Sequence, residues 1–337
     1  MNSLSKLFLI VILSFSYSVE AQNNIKIGFY NVENLFDTID NPLKADDDFT
    51  PAGKKAYNSE RYNDKLTKLS RAINNTRLFE ADILGICEVE NLIVMTDLVK
   101  QELLASNKYK IVHFDSHDSR GIDCGLLYKS STIKILESDS NQFQLPFSKR
   151  SQTRNQLYVL ALHKKKKQKI HVFINHWPSR HGNLFESSPK RAKAAAELKQ
   201  FIVDKTAGNN YPIVILGDFN DYPNNESVLT VLGADTSLNH NNKTLFNTSY
   251  AWQKQGKGTY NYNYKGHWGV LDQIIITKNI ANKLDVFSQY YAEIIDNSFL
   301  IYTNKKGEKH PNKSYGGSNY YGGYSDHLPI MITLTYK

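Results

Sequence analysis

Cysteine is nearly absent from this chain, with Cys87 and Cys124 its only two. That excludes a disulfide-stapled scaffold and leaves the interior to be held by apolar packing. Each lies in an apolar, strand-like run, so export would allow the two to pair, and a buried free thiol is equally natural. Long apolar runs are missing as well. Beyond the N-terminus nothing approaches the roughly 20 apolar residues that cross a bilayer, so no transmembrane anchor is expected. There is no internal repeat and no long Pro- or Ser-rich linker, so a second folded domain has no boundary at which to begin. Wholesale disorder is excluded by 41% hydrophobic and 22% charged residues, an ordinary globular balance.

What is present begins with a short leader. Lys6 precedes the apolar run Leu7 to Leu13, then polar serines and Val19-Glu20-Ala21. A basic start, a short apolar core and a small-residue exit read as a signal peptide over residues 1–21. The mature chain, 22–337, is then expected to be one domain, monomeric, secreted or periplasmic. No Cys stands near the cleavage point to carry a lipid. The net charge of +8 favours polyanionic partners, nucleic acid first, because basic side chains steer phosphates. Part of that excess sits in Lys164 to Lys167, read as the solvated turn of a hairpin between Leu157–Leu162 and Ile170–Ile174.

Short apolar runs recur at Ile25–Tyr30, Ile83–Cys87, Gly125–Tyr128, Val172–Ile174, Ile213–Leu216, Ile274–Ile276 and Ile330–Leu334. Most are continuous instead of alternating, as in strands covered on both faces. The pattern predicts an α/β fold, a four-layer α/β/β/α sandwich of two mixed sheets flanked by helices. Tyr62, Leu66, Leu69 and Ile73 form a helical stripe between Glu60 and Phe79. Ser188-Pro189 reads as the cap and first turn of a second helix through Ala192, Ala195, Leu198 and Ile202. A third helix is expected over 91–105, with Leu92, Met95, Leu98, Val99 and Leu103 facing inward. Stretches 256–269 and 315–324, rich in Gly, Asn and Tyr, read as loops.

Polar residues stand where the apolar runs stop. Asn31 and Glu88 end two of them, His176 a third, and Asp218 and Asn220 a fourth; Asp272 opens another, and Asp326-His327 precede the last. A carboxylate at the end of a buried strand needs a cation, a donor or water, so this many such ends suggest one shared site. Asp218 and Asn220, two residues apart, would share a side and hold one water. Glu88 would emerge from a buried sheet as a hard oxygen ligand. His176 could serve a phosphate or a leaving oxygen, and Asp272 could orient the His327 imidazole. Each alone has a plain structural reading: an Asx turn, a salt bridge, a core histidine.

Together, Tyr30-Asn31-Val32-Glu33-Asn34, Cys87-Glu88-Val89-Glu90, Asn175-His176-Trp177, Gly217-Asp218-Phe219-Asn220 and Ser325-Asp326-His327 resemble the ordered motifs of the endonuclease/exonuclease/phosphatase superfamily. The resemblance implies a divalent-metal-dependent phosphoesterase, deoxyribonuclease-like, with Glu88, Glu33 and Asp326 around the metal. It implies Asn31 and Arg154 as substrate-binding residues, and His176, Asp218, Asn220, Asp272 and His327 as catalytic. Glu90 and Asp221 would stand behind them. Where such deoxyribonucleases carry an acid behind the first histidine, Ser119 to Asp123 depart from the pattern, and Asp123 is the candidate substitute. The oxygen-rich donors favour Mg²⁺, or else Mn²⁺ or Ca²⁺, over Zn²⁺.

The leading expectation is a nuclease that hydrolyses DNA or RNA by activated-water attack on phosphorus. A sphingomyelinase-like lipid phosphodiesterase would share these motifs but needs an exposed apolar hairpin; Tyr260 to Trp268 is broken by Asn and Lys. A phosphoinositide phosphatase also fits the motifs. An inactive binding domain would have lost a key acid or histidine, and all are present.

Overall fold

The computed structural model describes residues 23–145, 152–180, 182–239, 244–262 and 267–337. The expected signal peptide lies outside the described residues. In chain order the elements run β1 (Asn24–Leu35), α1 (Ser59–Asn74), β2 (Ile83–Val89), α2 (Leu92–Val99), α3 (Glu102–Ala105), β3 (Tyr109–His113), β4 (Asp123–Lys129) and β5 (Ile133–Asn141). Next come β6 (Gln156–His163), β7 (Gln168–His176), α4 (Leu184–Thr206), β8 (Ile213–Asp218), β9 (Ala234–Asp235), β10 (Leu245–Asn247) and α5 (Tyr250–Lys254). The last third holds β11 (Tyr260–Tyr262), β12 (His267–Gly269), β13 (Asp272–Thr277), α6 (Lys278–Ala281), β14 (Phe287–Ile294), β15 (Ile301–Thr303), β16 (Lys309–Pro311), β17 (Tyr315–Gly316), β18 (Asn319–Tyr320) and β19 (Ile330–Tyr336).

Two mixed sheets form the body. One has the order β14-β19-β1-β2-β4-β3, the other β5-β6-β7-β8-β13-β10-β9. Each is built around a parallel pair, β1 with β2 and β7 with β8, and a parallel pair needs a crossover, which a helix usually supplies. Here α1 and α4 supply it. Antiparallel neighbours flank each pair: β19 beside β1 and β13 beside β8. The C-terminal ends of β1, β2, β7 and β8 and the N-terminal ends of β13 and β19 therefore open on the same edge. That edge is where open α/β sheets bind ligands.

The layers follow from side-chain alternation. Ile25, Ile27 and Phe29 of β1 meet Val172 and Ile174 of β7 and Ile274 of β13 between the sheets. Tyr30 and Val32 point the other way, against Leu66, Leu69 and Ile73 of α1. The outer face of the second sheet, with Phe173 and Ile215, packs on Ala195, Leu198 and Ile202 of α4. The four-layer sandwich expected from continuous apolar strands is thus the observed architecture. Cys87 and Cys124 face each other across β2 and β4 as free, buried thiols.

Several expectations need correction. The helix of 184–206 begins at an Asn183 cap, whose Oδ1 accepts from the Glu186 amide at 2.8 Å, so Ser188-Pro189 lie inside it. Pro189 gives up a bond near the helix start, where the carbonyl it would have used can reach water. The 91–105 segment is capped by Asn91, then splits at extended Gln101 into two helices. Val94, Met95, Leu98 and Leu104 face in, whereas Leu92 and Leu103 are exposed. Strands β3, β5 and β14 fell outside the expected runs; all three are sheet edges, covered on one side and more polar. The stretch 256–269 holds the β11–β12 hairpin and 315–324 the β17–β18 hairpin. Lys164 to Lys167 form the turn between β6 and β7 as expected.

Candidate active site

The strand register brings the candidate residues to one edge. His176 ends β7 and Asp218 ends β8 as a Cα-paired couple, and Asp272 opens β13 opposite Asp218. Across the sandwich, Asn31 lies near the end of β1 and pairs with Cys87, one residue before Glu88. The ladder is irregular there: the register shifts after Asn31 on one strand and after Cys87 on the next. Glu33, Asn34, Glu88 and Asn220 all have φ between +50° and +64°. Left-handed backbone at non-glycine residues is costly, and its concentration at one edge is typical of a functional site.

Hydrogen bonds tie the two sheets together through side chains. Asn31 Nδ2 donates to Glu88 Oε1 at 3.3 Å and to Asp218 Oδ2 at 3.2 Å, so one amide bridges two acids on different sheets. Asn31 Oδ1 accepts from the Glu33 amide, and the Asn34 amide donates to Glu88 Oε2 at 3.0 Å. Asp218 Oδ1 accepts the Asn220 amide at 2.9 Å, and Asn220 Nδ2 holds the Trp177 carbonyl at 3.0 Å. His327 Nδ1 lies 2.7 Å from Asp272 Oδ2, which turns its Nε2 toward Asp218 Oδ2 at 3.8 Å. His176 Nε2 is 3.6 Å from Asp218 and 3.8 Å from Glu88.

Electrostatics divides the two imidazoles. Burial and the nearby Arg154 and Arg120 hold His176 well below the ordinary histidine range, so it is neutral. Burial would do the same to His327, but Asp272 and Asp218 outweigh it and raise His327 well above that range, making it an imidazolium. Burial raises Asp218 to about 6, against the lowering effect of His327. Asp326 is pushed up to about 7 by burial and by Glu33.

The resemblance placed three acids around a metal, and the structure treats them differently. Both Glu33 oxygens are taken: the Ser314 and Tyr315 amides donate to them at 2.6 and 3.1 Å, with the buried Lys65 ammonium 3.9 Å away. Glu33 therefore anchors the β17–β18 segment. Glu88 is partly exposed, and Asp326 makes no hydrogen bond or ion pair among the described residues. An unsatisfied acid beside two others, all hard oxygen donors, is a chemical fit for a divalent cation. Asp218, Asp272 and His327 also crowd together, but their mutual bonds describe an acid–histidine pair.

Two further expectations are revised. Arg154 points inward, Nη2 donating to the Trp177 carbonyl at 2.7 Å and Nη1 to Asp118 at 3.3 Å, so it props up the strand end beside His176. Asp123 is occupied by His113 Nε2 at 3.0 Å and the Ser116 amide at 2.9 Å, and His176 Nδ1 has no partner among the described residues. Among the described residues no acid stands behind that histidine. Glu90 accepts the Asp37 amide at 2.6 Å, and Asp221 is ion-paired with the Arg191 and Arg180 guanidiniums, both away from the centre.

Sequence reasoning missed the supporting hydroxyls. Ser325 Oγ donates to the Asn31 carbonyl and accepts the His327 amide. Thr259 Oγ1 accepts the Asp272 amide at 3.1 Å. The Ser325 position, one residue before an Asp-His pair, was the available signal; Thr259 had none.

Comparison with known proteins agrees with this geometry. The model of the "Endonuclease/Exonuclease/phosphatase family" matches residues 26–336. No curated protein matches the chain significantly by sequence. Among solved structures, the human Nocturnin catalytic domain superposes with TM-score 0.56 at 17% identity, covering 94% of this chain and 95% of that one. The Bacteroides thetaiotaomicron mannosyl-6-phosphatase gives 0.56 at 14%, covering 93% and 100%. D. rerio TDP2 complexed with a single-strand DNA product gives 0.55 at 17%, covering 92% and 98%. At such identities the likeness speaks for the fold alone, and the family assignment rests on the matched model. The chain belongs to the endonuclease/exonuclease/phosphatase family, whose members are phosphoester hydrolases, usually metal-dependent.

Proposed function

We propose that this chain is an exported, Mg²⁺-dependent phosphodiesterase that hydrolyses nucleic acid by attack of water on phosphorus. The observation that carries the reading is geometric: His327, held through Nδ1 by Asp272 at 2.7 Å, turns its Nε2 toward the buried Asp218 carboxylate at 3.8 Å. A phosphodiester carries negative charge that grows as phosphorus becomes five-coordinate, so cationic and N–H donors must offset it. His327, held by Asp272, faces that charge. Asp218 accepts the proton of the attacking water, and its raised value suits a base working near neutrality. The amide of Asn31 keeps Asp218 and Glu88 at fixed separation. Neutral His176 offers an N–H at a second phosphate oxygen. Glu88 and Asp326 would hold the divalent ion, which would neutralise phosphate charge and stabilise the departing oxygen.

The positive net charge and the likeness to a DNA-binding TDP2 fold support a nucleic-acid substrate. The test is nicking of supercoiled plasmid by the mature protein, with and without Mg²⁺. His327→Ala and Asp218→Ala should each lower the rate by at least about 10²-fold while leaving the circular dichroism unchanged. A well-folded protein that cleaves no plasmid, yet releases phosphate from a small monoester, would overturn the reading. Export is checked by the mass of the protein recovered outside the cytoplasm, which should lack residues 1–21.

A further inference from the structure

Strands β14 and β19 are paired up to Ile294↔Ile330, so a tight hairpin would have sufficed to join them. Instead the stretch 295–329 folds into β15–β16 and β17–β18 and stands beside the site. Glu33 fastens it from below through the Ser314 and Tyr315 amides, and Lys65 from α1 donates to Ser314 Oγ and the Tyr324 carbonyl, both at 2.7 Å. Tyr57, Tyr315, Phe49 and Tyr320 pack its flank. This much anchoring is more than a connection requires.

Between this segment and the β11 hairpin lies a cavity of about 730 Å³. Asp326 is in its wall, and so is Tyr260, whose ring lies 4.9 Å from that of His327. The cavity therefore lies beside His327 and Asp326. Its rim carries Tyr302 and Tyr321, 53% and 61% exposed. Two side chains in its lining hold buried polar atoms with no partner among the described residues: the Oδ1 acceptor of Asn261 and Nδ1 of His310. Its charged side chains are Lys313, Glu308 and Asp326, a lining that is acidic on balance. A lining of aromatic faces and amide side chains suits a flat heteroaromatic group. It does not suit a run of phosphates.

We propose that this cavity is a nucleobase subsite, receiving the base of the nucleotide attached to the scissile phosphate, stacked on the exposed tyrosines. The proposal rests on the phosphodiesterase reading and narrows it. The enzyme would grip one unstacked nucleotide, so single strands and chain ends would be favoured over continuous duplex.

The experiment separates the two claims. Hydrolysis of an abasic oligonucleotide, which has phosphodiesters but neither a base nor any other aromatic ring, reports the phosphodiesterase activity alone. Binding to the full mature chain is then measured by calorimetry for adenosine monophosphate, ribose 5-phosphate and a hexose 6-phosphate. The nucleotide should bind at least about fivefold tighter than ribose 5-phosphate, the smaller effect expected of one base–aromatic stack. Tyr302→Ala with Tyr321→Ala should erase that preference while leaving the base-free diester rate unchanged. Equal binding of nucleotide and ribose phosphate, or tighter binding of the hexose phosphate, would overturn the proposal and make the cavity a sugar site or an idle wall. Absent diester hydrolysis with an intact nucleotide preference would instead remove the activity and leave the subsite standing.

Discussion

Raised carboxyl groups give the site a measurable pH signature residue by residue. Asp326 sits at about 7 in the folded chain against 3.8 for an ordinary aspartate, and Glu90 at about 7 against 4.5. A value raised on folding contributes stability that is complete below the unfolded value and is lost as pH rises through the folded one. His327, raised as well, acts with the same sign. His176 has the opposite sign, but it is neutral in both states above about pH 6.5. Between pH 6.5 and 8 the metal-free protein should thus lose on the order of 1 kcal/mol from Asp326, and less from Glu90, whose charge water screens. Asp326→Asn should flatten the fall, and Mg²⁺ should raise the melting temperature more at pH 8 than at 6.5, as thermal unfolding in EDTA and in Mg²⁺ would show. An equal Mg²⁺ effect at both values would remove Asp326 as a ligand. The candidate residues were legible in the sequence as a set, because several polar residues at buried strand ends need a shared site although each alone could be a turn, a salt bridge or a core histidine. What they touch was not: Glu33 and Arg154 are turned to backbone and to Asp118 by contacts more than 20 residues away in sequence, which no local pattern carries.

At the scale of elements, the contact of β8 with β7 leaves no room for a side chain at Gly217. A Cβ on Gly217 would stand 2.3 Å from the Asn175 carbonyl oxygen of β7, backbone that cannot swing aside. Gly217→Ala should therefore push β8 away from β7 and part Asp218 from His176. The expected outcome is a loss of kcat of about 10²-fold, larger than the modest loss of stability measured by urea unfolding. Retained activity would mean that the spacing of β7 and β8 is not what sets the site. The central strands were readable from their continuous apolarity because both their faces are covered. The edges β3, β5 and β14 were not, since half-solvated strands look like loops. Helix starts were misjudged where a competing cap, Asn183, stood five residues before the attractive Ser188.

For the whole molecule, the charge of +8 should act on long polyanions and not on small ones. Cleavage of plasmid should fall steeply between 50 and 200 mM salt while hydrolysis of a small diester barely changes, because only the polymer releases condensed counterions. Parallel curves for both substrates would count against a nucleic-acid surface. The sandwich itself was legible from seven apolar runs, and its strand order was not, because pairing across hundreds of residues leaves no trace in local composition. That order has a consequence in time. The first strand, β1, lies in the middle of its sheet, and its antiparallel neighbour is β19, the last. Removing residues 330–337 should leave no shortened enzyme, only chain degraded in pulse proteolysis. A protein whose first strand must wait for a partner as distant as β19 should set late and stay pliable while the chain between them is made.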